Sequence, residues 1–556
     1  MATIKQYNKR LESLRSERSS FIALWGELSD YHLSYRGRFL TSDRNKGYKR
    51  NTKQFNNTSR LAVRTLSSGM MSGITSPARP WFRLSISDLN LREYAPVKEW
   101  LNQVQSLMYR VYAASNVYNS LHQLYSELGV FGTGAMGIFA DFENVIHCTT
   151  YTAGAYMLAM NGKNQIDTLY REYEISVGQC VKEFGYENCS TTVQKQWDSG
   201  NTESWVQIVH VMEPNDNRDM ISPLAKHKAS RSAYYEVGNN SEKENKFLRE
   251  SGTDEFPVIA PRWDIAYQDI YATDCPGMTG LGDTKALQLG ERRKYQAIDR
   301  MVDPPLQGPA TMQNKVGKSI RNGEIVWLPG TGNGLRSIYD FRPDLNAMVS
   351  VNDQAEDRIR RAFYEDLFLM LAGDSRRQPV TAREIAEKHE EKLLMLGPML
   401  ERMHTEGLDP LIDITFNKLQ NANVLPEPPD EIKGMDLNVE YISILAQAQR
   451  LVATGGLERL GNFVGQLSTV WPEARHKFDA SQAIDEYAEA IGTAPKVIRS
   501  DDEVESLQAA EAAAQAQAGA MEQGQELADT AKTASETDIS EDNALGAIMK
   551  RAGLSP

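Results

Sequence analysis

Two glycine-rich stretches are the first places to look for chemistry. Gly132-Thr133-Gly134-Ala135-Met136-Gly137 fits G-x-G-x-x-G, a spacing that lets backbone N–H groups close around a pyrophosphate. That use needs a strand before the glycines and a helix after them, so that a helix N-terminus faces the phosphate charge. Here the order is reversed, with a helical pattern over 118–128 and a strand-like alternation from Ile138 to Phe142, so close backbone packing is the expected role. Gly317-Lys318-Ser319 resembles the end of a phosphate loop, yet Met312 stands where the first glycine is required. Nucleotide binding and an ATPase motor are both disfavoured. The eight histidines include no H-E-x-x-H and no i, i+4 pair on an expected helix, and no carboxylate–histidine order of a hydrolase is legible. His389 falls on a charged helical face and reads as solvated. Cys148, Cys180, Cys189 and Cys275 show no C-x-x-C spacing and are expected to be reduced, structural thiols in a reducing compartment. No catalytic residue, metal ligand or cofactor is expected, and the chain reads as no enzyme.

The overall charge disfavours a protein that grips nucleic acid through its phosphates, but its distribution matters more than its sum. The 556 residues carry a net −13, but residues 501–556 hold twelve acids against Lys532, Lys550 and Arg551, a net −9, which leaves −4 for the rest. Residues 1–64 hold fourteen Lys or Arg against five acids, and nine of those bases lie between Arg36 and Arg64. That basic loop is either a solvated surface or a phosphate contact. No apolar run of about 18 residues marks a membrane span, and the N-terminus lacks the apolar core of a secretory signal.

The elements that must position such residues are mostly helical, an α+β chain with more helix than sheet. Apolar spacing predicts helices over 4–33, 58–74, 94–114 and 118–128, with a strand at 81–86. Short strand-like runs fill 137–211 and continue to 255. A helix over 283–302 carries a narrow small or apolar stripe at Ala286, Gly290, Ala297 and Met301 amid heavy charge. It stops at Asp303-Pro304-Pro305. A Gly- and Pro-rich module with a strand at 324–328 follows, then a second helix over 350–371 with Ala355, Ile359, Phe363 and Leu367 at i, i+4 steps. That helix would span roughly 33 Å. After the loop 373–380, Thr381 and Glu384 form a capping box for a helix expected to kink at Pro398. A Pro-rich linker at 425–429 leads to a stretch, 439–491, that reads as helix with breaks. The Ala-, Gln- and Glu-rich 503–532 has helix propensity but little to bury, and disorder is expected beyond it.

Several segments together resemble the portal, or head-to-tail connector, family of short-tailed, podovirus-type bacteriophages. They are NNTSRLAVRTLSSGMMSGITSPARPWFRL (56–84), ELGVFGTGAMGIF (127–139), VDPPL (302–306), the run from Asp366 to Leu419, and VEYISILAQAQR (439–450). The resemblance is collinear over roughly residues 1–500. It implies a ring, typically of twelve subunits, with wing, stem, clip and crown. On that reading the wing covers 1–282, the stem helices 283–302 and 350–372, and the clip 303–349. The tunnel loop is 373–381, a kinked wing helix 382–424, upper wing and the start of the crown 425–500, and the crown helix with its acidic tail 501–556. The tunnel loop would bring Asp374, Ser375, Arg376 and Arg377 toward DNA. Stem contacts between subunits would involve Ala286, Gly290, Ala297, Met301, Ile359, Phe363 and Leu367.

The resemblance further implies a conduit for genome packaging and ejection at the capsid–tail vertex of the virion, assembled in the host cytoplasm. Its partners would be further copies of the chain, double-stranded DNA, the large terminase subunit, major capsid and scaffolding proteins, a tubular tail adaptor, and internal core proteins. Another head–tail adaptor ring is the alternative, and a packaging ATPase a weaker one.

Overall fold

A computed structural model of the chain describes residues 3–39, 54–88, 91, 94–216, 218–219, 221–222, 224–238, 246–302, 306–310, 325–329, 336–337, 344–372, 396–432, 437–443, 445–446, 460–469, 471, 473, 477–491, 504, 506, 509–510 and 513. The chain divides into two compact units, Met1–Ala453 and Thr454–Pro556. In the second, helix is described over 460–469 and Ala480–Ile491.

The first unit opens with α1 (Ile4–Tyr31), started by a capping box in which the Thr3 hydroxyl accepts from the Gln6 N–H and the Gln6 side chain accepts from the Thr3 N–H. Its apolar stripe serves two cores in turn. Ile4, Tyr7, Leu11 and Leu14 lie on a sheet, whereas Trp25 and Leu28 enter the main helical core. That core is built chiefly from α2 (Thr58–Gly73), α3 (Ala95–Ala114) and α4 (Val117–Phe131).

The sheet is antiparallel, ordered β4 (Tyr156–Met160), β5 (Ile166–Ser176), β6 (Trp205–Pro214), β7 (Ser230–Glu236), β8 (Arg249–Thr253). Because successive strand residues face opposite sides, Val209 and Val211 pack under α1 while Val206 and Ile208 face the other way. That second face is covered by two short helices, α5 (Val177–Phe184) and α6 (Thr191–Asp198). Both fall inside the stretch expected to be sheet. Their eight-residue length and single buried stripe give too little periodicity to stand out between strands, but Ser176 and Ser190 cap them and could have been read.

Two further sheets involve distant pairings. β2 (Ala135–Asp141) lies between β3 (Val145–Tyr151) and β9 (Val258–Ile259). β1 (Phe82–Ile86) pairs antiparallel with β13 (Leu437–Tyr441). The expected helical reading of 439–491 is therefore corrected at its start: Val439 to Tyr441 form an edge strand, a placement made by a partner more than 350 positions away.

The expected rods are present, with altered limits. α7 (Pro276–Val302) begins seven residues before the expected start, with Pro276 at a position where its missing N–H costs nothing. The second rod is two helices, α8 (Leu345–Ala362) and α9 (Glu365–Ala372), not one continuous helix. They part at Tyr364, whose φ of +54° is left-handed. α7 and α8 pack along each other. Between them the described residues form a three-stranded sheet, with β10 (Leu306–Pro309) parallel to β11 (Ile325–Leu328) and antiparallel to β12 (Arg336–Ser337). Farther on, a π turn at His404–Leu408 precedes α10 (Asp409–Asn421); it is the irregularity of that helical stretch in the described residues.

Candidate functional site

The α7–α8 pair carries most of the described residues singled out in the sequence. Near its base it is fixed to the same chain by polar contacts. Arg358 Nε donates to Asp283 Oδ1 at 2.8 Å, and Asn352 Nδ2 to Glu291 Oε1 at 2.7 Å. Lys294 Nζ shares that Glu291 oxygen at 2.6 Å. Gly290 sits where an added Cβ would fall 2.3 Å from the Asn352 side-chain oxygen, so the glycine permits the close approach of the two helices. The segment after the basic loop is tied on as well: the Phe55 and Asn56 N–H groups donate to Gln288 Oε1 at 2.6 and 2.9 Å, and Asn56 Nδ2 donates to Glu356 Oε1 at 2.7 Å.

Ile359, Phe363 and Leu367 are fully buried in the subunit's own core. Phe363 meets the His32 ring, 5.5 Å between centroids, and lies beneath Gly280. Ala297 is buried too, at 6% exposure. Of the stem residues singled out in the sequence, Ala286 and Met301 are exposed, and Gly290 is half-buried against Asn352. The far end of the pair instead exposes an apolar set that the sequence reading passed over. Tyr295 is 55% exposed, Val302 80% and Val351 61%, with Leu289, Ile298 and Val349 also open. Tyr295, Ile298 and Val302 recur every three or four residues, so they were legible as a stripe continuing the buried side of α7 past the point where its own chain covers it.

Asp374, Ser375, Arg376 and Arg377 lie outside the described residues, as do Gly317-Lys318-Ser319, His389 and most of the basic loop. Of that loop's flanks, Arg36 pairs with the fully buried Glu127 at 3.1 Å, and Arg60 lies over the Tyr35 ring. Glu127 also accepts from Thr152 Oγ1 and the Ala153 N–H, while burial holds its carboxyl above the usual range and Arg36 opposes that shift. Part of the basic excess is thus structural.

The glycines of the dinucleotide-like run behave as packing residues. Gly132 ends α4 with φ +78°, and a Cβ there would sit 2.7 Å from Ala272 Cβ. His210 stacks 3.8 Å from the Tyr234 ring and is fully buried; burial, with Arg171 and Arg249 nearby, holds it neutral. Among the described residues one group has metal-ligand geometry, Cys180, Cys189 and Glu236, which the sequence reading did not assemble. No described helix is long and apolar enough to cross a membrane.

Residues 4–498 match the family described as bacteriophage head to tail connecting protein. The chain belongs to that family. It is 44% identical over 549 residues to the portal protein of Salmonella phage epsilon15, covering 98% of both chains. It is also 44% identical over 545 residues to the probable portal protein of Bordetella phage BPP-1, covering 97% of both. Likeness to solved structures is remote. A chain in the neck of an empty gene transfer agent particle gives a TM-score of 0.32 at 10% identity, over 78% of this connector chain and 92% of that one. A chain of the native gene transfer agent virion gives 0.31 at 11% identity, over 78% and 94%.

Proposed function

We propose that this connector-family subunit is a portal: a ring at the junction of capsid and tail through which double-stranded DNA is packaged and later ejected. The observation that carries the reading is 44% identity along 98% of the length of a portal protein. In this role the family is structural, and the side chains gathered among the described residues serve packing and assembly.

On this reading α7 and α8 are the stem, the β10–β12 module is the clip, and the segment holding Asp374, Ser375, Arg376 and Arg377 is a tunnel loop beside DNA. The ring, twelve-fold in the resemblance, would meet the large terminase subunit, scaffolding and major capsid proteins, internal core proteins and a tail adaptor. Identical subunits meeting through unlike surfaces close into a ring when the rotation between them allows it. The exposed stripe of Tyr295, Ile298 and Val302 supplies one such surface, and Ala286, on the opposite side of α7, belongs to another. The net −4 outside the tail suits a bore that lets phosphates slide, since every basic contact is repeated in each subunit and would add affinity through counterion release.

Electron microscopy of the purified chain tests the proposal. Wide rings with an axial hole are expected; a protein that stays a single subunit under all assembly conditions, or that turns over ATP, overturns it. Replacing Arg376 and Arg377 by Ala should alter packaging or DNA retention and leave ring formation intact. Unchanged packaging and retention would remove those two residues from the DNA path.

A further inference from the structure

We propose that Cys180, Cys189 and Glu236 form a structural site for one divalent transition-metal ion, best suited to zinc, that ties the α5–α6 excursion to the central sheet. The three donors come from separate places: Cys180 from α5, Cys189 from the turn before α6, and Glu236 from the end of β7. Their ligand atoms all lie within 4.8 Å of one another, and all three residues are buried.

The sulfur spacing narrows the choice. Cys180 Sγ and Cys189 Sγ are 3.8 Å apart. Two thiolates each about 2.3 Å from a tetrahedral zinc stand about 3.8 Å apart and a disulfide requires about 2.05 Å, so the spacing excludes the bond and suits either a thiol–thiol contact or a shared ion; the Glu236 carboxylate beside both sulfurs is what favours the ion. The carboxylate is already oriented. Glu236 accepts the Ser190 N–H at 2.8 Å and the Ser190 hydroxyl at 2.5 Å, the kind of outer contact that holds a metal-binding carboxylate in place while leaving it further lone pairs.

Charge is also accommodated. Two thiolates and a carboxylate with a dication leave a single negative charge, and the Lys246 ammonium sits 3.0 Å from the Cys189 carbonyl oxygen. Sulfur donors favour zinc over calcium or magnesium, and three protein donors leave one tetrahedral position for water. Binding releases the two thiol protons to solvent, so it should strengthen as pH rises.

The site would have a structural purpose. α5 and α6 are each eight residues long and pack on the sheet through one cluster of nine buried residues, so a coordinate link across Cys180, Cys189 and Glu236 would add to what burial already holds. Cys148 and Cys275 provide internal controls. Both are buried, and neither belongs to a metal-like group among the described residues; a carbonyl contact does not separate them, since Cys275 Sγ meets the Val130 oxygen at 3.2 Å and Cys189 Sγ the Gly185 oxygen at 3.3 Å.

The test is metal content of the full-length assembled protein, loaded with zinc and dialysed, read by elemental mass spectrometry beside a thiol count made without reductant. About one zinc per subunit is expected in the unaltered protein, falling about tenfold or more in Cys180→Ser/Cys189→Ser and unchanged in Cys148→Ser. Glu236→Gln, which keeps an acceptor for Ser190, should weaken zinc retention by about tenfold or more. Cobalt loading should add a thiolate charge-transfer absorption that the double variant lacks. Retention below about a tenth of an ion per subunit in the unaltered protein, zinc surviving the double cysteine change, or a Cys180–Cys189 disulfide in the assembled ring would each overturn the proposal.

Discussion

His32 shows how a single side chain sets a response to acid. It is fully buried at the end of α1, with Nδ1 hydrogen-bonded to the Ser59 hydroxyl and its ring against Phe363. Burial pushes its pKa down to about 4 from 6.5. The unfolded chain therefore binds the extra proton first: stability is complete above the unfolded value and is lost as pH falls from about 6.5 toward 4, by about 3 kcal/mol in all. Urea denaturation of the subunit between pH 7 and 4.5 should show this slope, and His32→Phe should flatten it, with a remainder from the buried His210. An unaltered slope in the variant would exclude His32 as a source. The sequence flagged neither residue, because a histidine's burial depends on elements that meet it from elsewhere in the chain.

At the scale of elements, two glycines of α7 are not equivalent. Gly277 in the first turn of α7 lies where an added Cβ would be 2.5 Å from the Val130 carbonyl oxygen and 2.8 Å from Val130 Cα, backbone atoms that move only if α4 moves. Gly282, five residues on, has nothing within 4 Å of such a Cβ. Gly277→Ala should destabilise the subunit by about 1–3 kcal/mol through overpacking, while Gly282→Ala should be neutral or stabilise by up to about 1 kcal/mol through helix propensity. Thermal unfolding of both variants decides it, and equal midpoints would contradict the close approach of α4 and α7. The helices themselves were legible, since α1, α2, α3, α4 and most of α7 follow an apolar period that needs no partner to be seen. The break at Tyr364 was not, because Ile359, Phe363 and Leu367 keep the i, i+4 spacing straight through it.

For the whole molecule, the unspent surface of the rods carries the prediction. Tyr295→Glu with Ile298→Glu places charge on a stripe exposed along α7, where the Lys294 ammonium lies 5.5 Å from the Tyr295 ring centroid. Self-association should weaken by about tenfold or more, while the melting of the isolated subunit stays the same, because removing an apolar anchor and burying charge is costly only where a partner covers it. Sedimentation at matched concentrations reads the first and calorimetry the second. Rings that form as well as before would move the contact elsewhere. The sequence singled out helices that the structure contains, but its list mixes buried with exposed residues. Ile359, Phe363 and Leu367 look like a sticky face on a wheel projection, but the fold turns them toward α2 and His32.

The amino-acid order alone determined what is local or collinear: helix periodicity, the proline and glycine stops, the concentration of acid in residues 501–556, and the matched segments that place the chain in the connector family. Tertiary structure decided what depends on distant meetings. It paired β1 with β13, laid α5 and α6 across the sheet, brought Glu236 to Cys180 and Cys189, and divided the rod residues between those buried inside the subunit and those left exposed. The physical reason is that a period of 3.6 or 2 says which residues share a face, whereas burial and ligand geometry arise only when that face acquires a neighbour.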